Sequence, residues 1–326
     1  MRFVVLGAGA IGGTVGARLH ERGHDVWLIA RGAHLQALQR DGLELREPGR
    51  RAVLRIPALG APGELRWRGD EIVLVATKSQ DTGPALAALR SAAPPSVAVV
   101  CLQNGVENER VALRLFERVY AAAVMLPAAH LKPGVVLCYG TALTGMIDLG
   151  RYPGSVDALC GRLCEALCSC GIQARAVADI QRAKHAKLVA NLANVVEALC
   201  APGADRDLLA ERTRAEGRSV LRAAGIPCED PEVSDLRGRM KRIGVGEIDG
   251  APRPGSSTWQ SLARRSGALE TDHLNGEIVL RARLAGVPAP LNELLCRLAA
   301  RAVAQGLGPG ALAAGEILAD GALEAA

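Results

Sequence analysis

The apolar run Phe3-Val4-Val5-Leu6 is short enough for a buried strand and ends at Gly7, after which small residues open a helical pattern that continues to Arg22. A second run, Asp25-Val26-Trp27-Leu28-Ile29, predicts the next strand. Glu71–Ala76 and Val97–Leu102 are almost wholly apolar, as expected of strands covered on both faces of a parallel sheet. Shorter strands are predicted at Leu43–Leu45, Val53–Ile56, Val135–Tyr139, Met146–Leu149 and Ala174–Val177, with helices over Ala33–Arg40 and Ser155–Cys168. Beyond Asp179 the strand signal fades, and helical stretches alternate with Gly and Pro at Pro202-Gly203, Gly225-Ile226-Pro227, Pro252–Gly255, Gly286-Val287-Pro288 and Gly306–Gly310. The pattern predicts an α/β chain: a parallel-sheet domain over residues 1–178, a hinge near Val177–Ile180, and an all-α domain over 179–326.

The first strand-to-helix turn reads Gly7-Ala8-Gly9-Ala10-Ile11-Gly12. Gly7 permits the sharp turn, Gly9 lets backbone approach a pyrophosphate, and Gly12 lets the helix lie close to the sheet. The N–H groups at Ala10 and Ile11 then face the phosphates, which makes this a Rossmann-type dinucleotide site. After the second strand the chain has Ala30-Arg31-Gly32 where NAD-selective proteins place a carboxylate. Arg31 offers a donor fork to a 2′-phosphate, so NADPH is the expected cofactor. Lys78 and Asn104 follow the two apolar strands, and ligands in open parallel sheets lie beyond such strand ends. Asn104-Gly105 is equally a common turn pair.

Composition narrows the partners. The net charge is +5, with Lys, Arg, Asp and Glu interspersed and few aromatic residues, so neither a phosphate-binding stripe nor a base-stacking platform supports nucleic-acid binding. No apolar run reaches bilayer-spanning length and no signal peptide precedes the first strand, so a cytoplasmic protein without membrane contact is expected. Of nine cysteines, Cys160, Cys164 and Cys168 recur at helical spacing and read as small core residues. Their spacing and the lack of a nearby histidine argue against a metal site.

The segment Ile180–Leu199 reads as one helix that carries Lys187, Asn191 and Asn194 among mostly apolar residues. At about 100° per residue, Asn191 lies about 40° to one side of Lys187 and Asn194 about 20° to the other, so the three form one stripe. Buried lysine and mid-helix asparagine are both costly, and the stripe fits a groove in which an ammonium protonates an oxygen while amides orient a substrate. Asparagines that bond within a helical core remain an alternative. His185 lies about 160° from Lys187 and reads as surface or core.

With these residues in view, the chain resembles the ketopantoate reductase (2-dehydropantoate 2-reductase) family over nearly its full length. The match rests on the Gly-rich turn with Arg31, on Lys78 and Gln80 with Gln103-Asn104-Gly105, and on Lys187 with Asn191. It extends to Ser256-Ser257-Thr258-Trp259-Gln260 followed by Glu270-Thr271-Asp272-His273-Leu274-Asn275-Gly276. The resemblance implies an NADPH-dependent enzyme that reduces ketopantoate to pantoate on the route to pantothenate and coenzyme A. By the same resemblance Lys187 is the general acid, Ser257 contacts the substrate carboxylate, Glu270 takes the substrate hydroxyl, and Lys78 and Asn104 lie beside nicotinamide and substrate. Without the resemblance, Ser256-Ser257 is a helix N-cap and Glu270 could be a surface carboxylate. Two positions depart from the family pattern: Val195 stands where members carry asparagine, with Asn194 one residue earlier, and Ser261 stands where Asp is frequent. Another small 2-keto acid therefore stays open as substrate. A non-enzymatic NADPH sensor would need the Gly-rich turn and Arg31 but not Lys187, Asn191 and Glu270. The Leu and Ala content of the late helices would allow a homodimer.

Overall fold

The computed structural model describes residues 1–229 and 236–319. Two compact units divide the chain, one made of Met1–Ala183 with Pro231–Arg253 and the other of Lys184–Asp230 with Pro254–Ala326. The sequence reading kept residues 231–253 in the helical domain. The described part of that segment, from residue 236 on, packs within the first unit.

In the first unit the chain runs β1 (Arg2–Leu6), α1 (Ala10–Glu21), β2 (Asp25–Ile29), α2 (Gly32–Asp41), β3 (Leu43–Glu47), β4 (Arg50–Leu54) and β5 (Ala58–Leu59). It continues through β6 (Ile72–Val75), α3 (Thr82–Ala92), β7 (Ala98–Cys101), α4 (Asn108–Leu113), β8 (Val119–Met125), β9 (Ala128–Lys132) and β10 (Val135–Cys138). β11 (Gly145–Arg151), α5 (Ala158–Ser169) and β12 (Ile172–Ala176) complete this run. The main sheet has the order β12-β11-β8-β7-β6-β1-β2-β5. β5 to β8 lie parallel through β1, and β11 pairs antiparallel with β8. The chain steps outward from β1 to β2 and β5, then returns to β6 on the other side of β1, so the strand order reverses between β1 and β6. Ligands of doubly wound sheets bind at that reversal.

Leu6, Val75 and Cys101 end their strands buried at 5%, 0% and 0% exposure, so the loops that follow start from fixed points. A second sheet, β4-β3-β10-β9, packs its Leu43, Leu45 and Val136 against α1. The sequence reading placed β3, β4 and β10 but missed β9, and it missed β8, whose Tyr-Ala-Ala-Ala centre lacks the β-branched signature of its neighbours. β8 is buried at every position, which explains why small residues suffice there.

Along α5, Cys160 is buried, Cys164 half-buried and Cys168 exposed, which corrects the expectation of a shared core face. Each four-residue step drifts about 40° around a helix, so the series leaves the buried face marked by Leu159, Leu163 and Leu167. Burial pushes the Cys164 thiol up to about 11 and the Cys138 thiol likewise to about 11, so neither is a ready thiolate.

After its excursion into the second unit the chain re-enters the first with α9 (Leu236–Ile243). Ile243 packs with Met125 and Met146, and Ile248 with Leu137 and Tyr139. Backbone bonds from Ala142 N–H to Ile243 O at 3.0 Å and from Gly246 N–H to Tyr139 O at 2.9 Å tie the segment down. A charged lock completes it. Arg239, 5% exposed, donates to Asp148 at 2.6 and 2.8 Å, and Arg175 donates to the same carboxylate at 3.0 and 2.9 Å. Burial of Asp148 opposes ionisation, but the two guanidiniums outweigh it and hold the carboxyl below its ordinary range.

The second unit holds α6 (Ile180–Asn191), whose first residues belong to the first unit, then α7 (Asn194–Leu199), α8 (Ala204–Ala223), α10 (Ser257–Ala263), α11 (Thr271–Ala285), α12 (Pro290–Ala304) and α13 (Ala314–Leu318). Its apolar core gathers Val195, Leu199, Leu209, Leu262, Leu295 and Ala302. The helix read as continuous over Ile180–Leu199 is broken: α6 ends at Asn191 and α7 restarts at Asn194. The described residues contain no helix long and apolar enough to cross a membrane.

Candidate active site

Each unit carries its own set of candidate residues. In the first, Gly7 has φ +103°, and a Cβ there would lie 2.8 Å from Thr77 N, so only glycine fits. At Gly12 a Cβ would meet Gly7 O at 2.1 Å, which makes this glycine the condition for α1 to lie against β1. Gly9 is different: a Cβ would meet nothing within 4 Å, so the loop is open on that side. Gly9 is also the N-cap of α1 and no side chain caps that helix, which leaves the N–H groups about Ala10 and Ile11 for an anion. A glycine turn that leads into an uncapped twelve-residue helix at the strand reversal fits a pyrophosphate.

Arg31 is the N-cap of α2, with its side chain 70% exposed and a loose 3.9 Å pairing to Asp81. It stands beyond the C-terminal end of β2, as a ribose-phosphate ligand must. The loops after β6 and β7 are stitched together. Gln103 Nε2 donates to Thr82 Oγ1 at 2.8 Å, Thr82 Oγ1 to Asn108 Oδ1 at 2.7 Å, and Asn108 Nδ2 to Asn104 O at 3.0 Å. These bonds fix the backbone that presents Lys78 and Asn104, both half-buried. The Asn104 side-chain amide has no hydrogen-bond partner among the described residues, so its donor and acceptor are available to a ligand.

In the second unit the helix break organises the rest. The Leu192 carbonyl at the break accepts from Asn275 Nδ2 at 3.0 Å, and the same amide donates to Asn292 Oδ1 at 2.9 Å. Asn292 Nδ2 donates in turn to Glu216 Oε1 at 2.7 Å. Asn275 and Asn292 are 1% and 0% exposed, so this buried chain from α11 and α12 holds the break in one shape. Just beyond it, Ser256 Oγ donates to Asn194 O at 3.3 Å and Ser256 N–H to Glu197 Oε2 at 3.1 Å, which seats the start of α10 on the start of α7. Ser256 also caps α10, accepting from Trp259 N–H at 3.4 Å. The cap expected of the serine pair is thus Ser256 alone. Ser257 is the next residue, and its buried Oγ has no partner among the described residues.

The break between Asn191 and Asn194 takes Asn194 out of the single helical stripe with Lys187 and Asn191. Asn194 instead begins α7, half-buried, beside Ser256. Val195 is 1% exposed in the apolar core, so it does not occupy the place of a polar ligand. Ser261 Oγ is spent on Ser257 O at 3.0 Å. Glu270 is 4% exposed at the N-cap of α11, which rules out a surface carboxylate. His185 is buried at 9%. Lys187 is half-buried, and burial, reinforced by the Lys184 charge, lowers its ammonium from 10.5 to about 8. An acid poised there gives up a proton far more readily than a solvated lysine. Neither Asn191 nor Asn194 has a side-chain hydrogen-bond partner among the described residues. No cluster of His, Cys, Asp and Glu suited to a metal occurs among the described residues.

A glycine turn at the strand reversal and a lysine of lowered pKa fit a nicotinamide-dependent oxidoreductase. Sequence comparison is more specific. The family model for ketopantoate reductase PanE/ApbA matches residues 3–154 and that for its C terminus matches residues 179–302, so the chain belongs to this family. The 2-dehydropantoate 2-reductase of Halobacterium salinarum is 31% identical over 91% of this chain and 97% of its own length. That of Archaeoglobus fulgidus is 31% identical over 94% and 99%. The crystal structure of a PanE/ApbA family ketopantoate reductase from Ralstonia eutropha JMP134 is 30% identical, covers 94% of this chain and 99% of that one, and superposes with a TM-score of 0.79. D-mandelate dehydrogenase, solved with NADH and anilino(oxo)acetate, shares the fold at a TM-score of 0.78 and 21% identity.

Proposed function

We propose that the protein reduces 2-dehydropantoate to pantoate with NADPH, in the supply of pantothenate and coenzyme A. The observation that carries this reading is the second unit's set around the helix break: Lys187 with its lowered pKa, the unbonded amides of Asn191 and Asn194, and the orphaned Ser257 hydroxyl. Bound NADPH supplies the hydride. Lys187 supplies the proton for the carbonyl oxygen, so that C=O becomes CH–OH. Ser257 Oγ donates to the substrate carboxylate, Asn104, Asn191 and Asn194 orient the keto acid, and Glu270 accepts from its terminal hydroxyl. A panel of ketopantoate, 2-ketoisovalerate and other small 2-keto acids, followed by loss of NADPH absorbance, tests this. Ketopantoate should lead, because a keto acid without the hydroxyl forgoes a hydrogen bond to a charged acceptor, worth about 1.5–3 kcal/mol. A preference for 2-ketoisovalerate, or no turnover at all, overturns the assignment.

A second reading, reduction of a different small 2-keto acid, draws support from Val195 and Ser261, which replace polar family residues with an apolar core residue and a hydroxyl bonded within its own helix.

For the cofactor, Arg31 favours NADPH over NADH. Its exposed fork is worth about 1.5–3 kcal/mol to a phosphate dianion, or roughly ten- to a hundredfold. Arg31→Ala should erase that margin in kcat/KM while leaving NADH turnover nearly unchanged. Equal efficiency of the two cofactors with the wild type would remove the assignment.

A further inference from the structure

The Gly-rich turn is held from behind by a histidine that the motif reading passes over. His34, on the first turn of α2, bridges two backbone groups that are far apart in sequence. Its Nδ1 receives the N–H of Gly134 at 2.9 Å, and its Nε2 lies 2.8 Å from the carbonyl oxygen of Ala8. A backbone N–H only donates, so Nδ1 is the acceptor, the ring proton sits on Nε2, and Nε2 donates to Ala8. Gly134 is the turn between β9 and β10, with φ +77°, and its own carbonyl accepts from Glu44 N–H at 2.8 Å. The small sheet is thus the anchor. The His130 ring packs against His34 at 4.3 Å between centroids, tilted by 49°, and its Nδ1 lies 2.9 Å from Val135 O on the same hairpin. Burial also lowers the His34 pKa, in keeping with a neutral ring.

We infer that His34 is a positioning residue for the dinucleotide: through Ala8 it sets the orientation of the peptide that carries the Gly9 N–H. The Ala8–Gly9 peptide is planar and trans, so its C=O and N–H point in opposite directions. Holding the carbonyl against His34 turns the Gly9 N–H away from the anchor. Without that bond the peptide is free to rotate, since the glycine on its C-terminal side offers little resistance.

The inference rests on the dinucleotide reading of the first unit and is independent of the substrate. Two substitutions separate the halves of the ring. In His34→Asn the Oδ1 stands where Nδ1 stood and keeps the Gly134 bond, but nothing reaches Ala8. In His34→Gln the Nε2 stands where the ring Nε2 stood and keeps the donation to Ala8. Direct titration of the purified proteins with NADPH by fluorescence, with melting curves of the cofactor-free proteins alongside, reads the difference. Loss of one such bond should weaken NADPH binding about three- to tenfold in His34→Asn with Tm close to wild type, whereas His34→Gln should stay within about twofold in Kd. Unchanged affinity in His34→Asn, or equal weakening in both, overturns the inference. If His34→Asn does not fold, the Gln variant decides alone, retained affinity supporting the assignment and lost affinity overturning it. A wild type that binds no nicotinamide dinucleotide overturns the functional reading as well.

Discussion

Lys187→Ala should lower kcat by about a hundredfold to ten-thousandfold while NADPH affinity stays close to wild type. The proton of a general acid matters only as hydride transfer builds charge on the carbonyl oxygen, so its loss appears in turnover rather than in binding. The pKa of about 8 adds a second, independent signature. Below that value Lys187 carries its proton, and above it the acid is lost, so reduction by the wild type should fall as pH rises through about 8, and this limb should vanish in the variant. Anionic ligands beside the ammonium would move the limb upward. Stability should go the other way. Because folding lowers this pKa from 10.5 to about 8, the unfolded chain binds more protons between those values. Lys187 therefore costs stability below about pH 8, and the cost lifts as pH rises toward 10.5. A structural cation would behave oppositely, its removal lowering Tm and sparing kcat. Steady-state kinetics, NADPH titration and a melting curve on one variant distinguish the two, and a folded Lys187→Ala enzyme that loses less than about threefold in kcat would take the lysine out of the mechanism.

The largest stability effect should come from Asp148→Ala. Removal of the carboxylate leaves Arg239, 5% exposed, without its buried counter-ion, at a cost of about 3–5 kcal/mol in urea unfolding. Arg175→Ala should cost far less, because that guanidinium is 53% exposed and water replaces its partner. Asp148→Leu combined with Arg239→Met should recover a good part of the loss, since two apolar residues need no counter-ion. The pH dependence follows from the lowered pKa. The pair's contribution is complete above the unfolded value near 3.8 and is lost as pH falls through the lower folded value, so wild type and Asp148→Ala should converge in strong acid. A wild-type unfolding profile identical to that of Asp148→Ala at neutral pH would exclude the lock.

Much of this was legible in the sequence because it is local. The apolar strands β1, β6 and β7 and the glycine turn each announce themselves within a few residues. What stayed hidden depends on partners far along the chain. Asn191-Leu192-Ala193-Asn194 holds two poor helix formers, a hint of the break, but the bond that stabilises it comes from Asn275, 83 residues away. His34 looks like one more polar residue on a surface helix until the hairpin 100 residues later supplies Gly134. β8 escaped because a run of alanines has no periodicity to read, although total burial makes alanine adequate there. Among the candidate residues, the burial of Glu270 and the unpartnered Ser257 Oγ likewise depend on distant packing and could not be read locally.

The return of α9 to the first unit also bears on how the chain acquires its shape during synthesis. Asp148 and Arg239 are 91 residues apart, and the intervening stretch includes Lys184–Asp230, which belongs to the other unit. A ribosome delivers residues in order, so when Val177 emerges, the Asp148 carboxylate has only Arg175 for company and the pocket for Ile243 between Met125 and Met146 is unfilled. Domains of most proteins fold as each is completed. Here the first cannot be finished until α6, α7 and α8 of the second have been made, so the two mature together, and a chain that stops at residue 183 leaves the nascent sheet without its last apolar plug and its buried counter-charge.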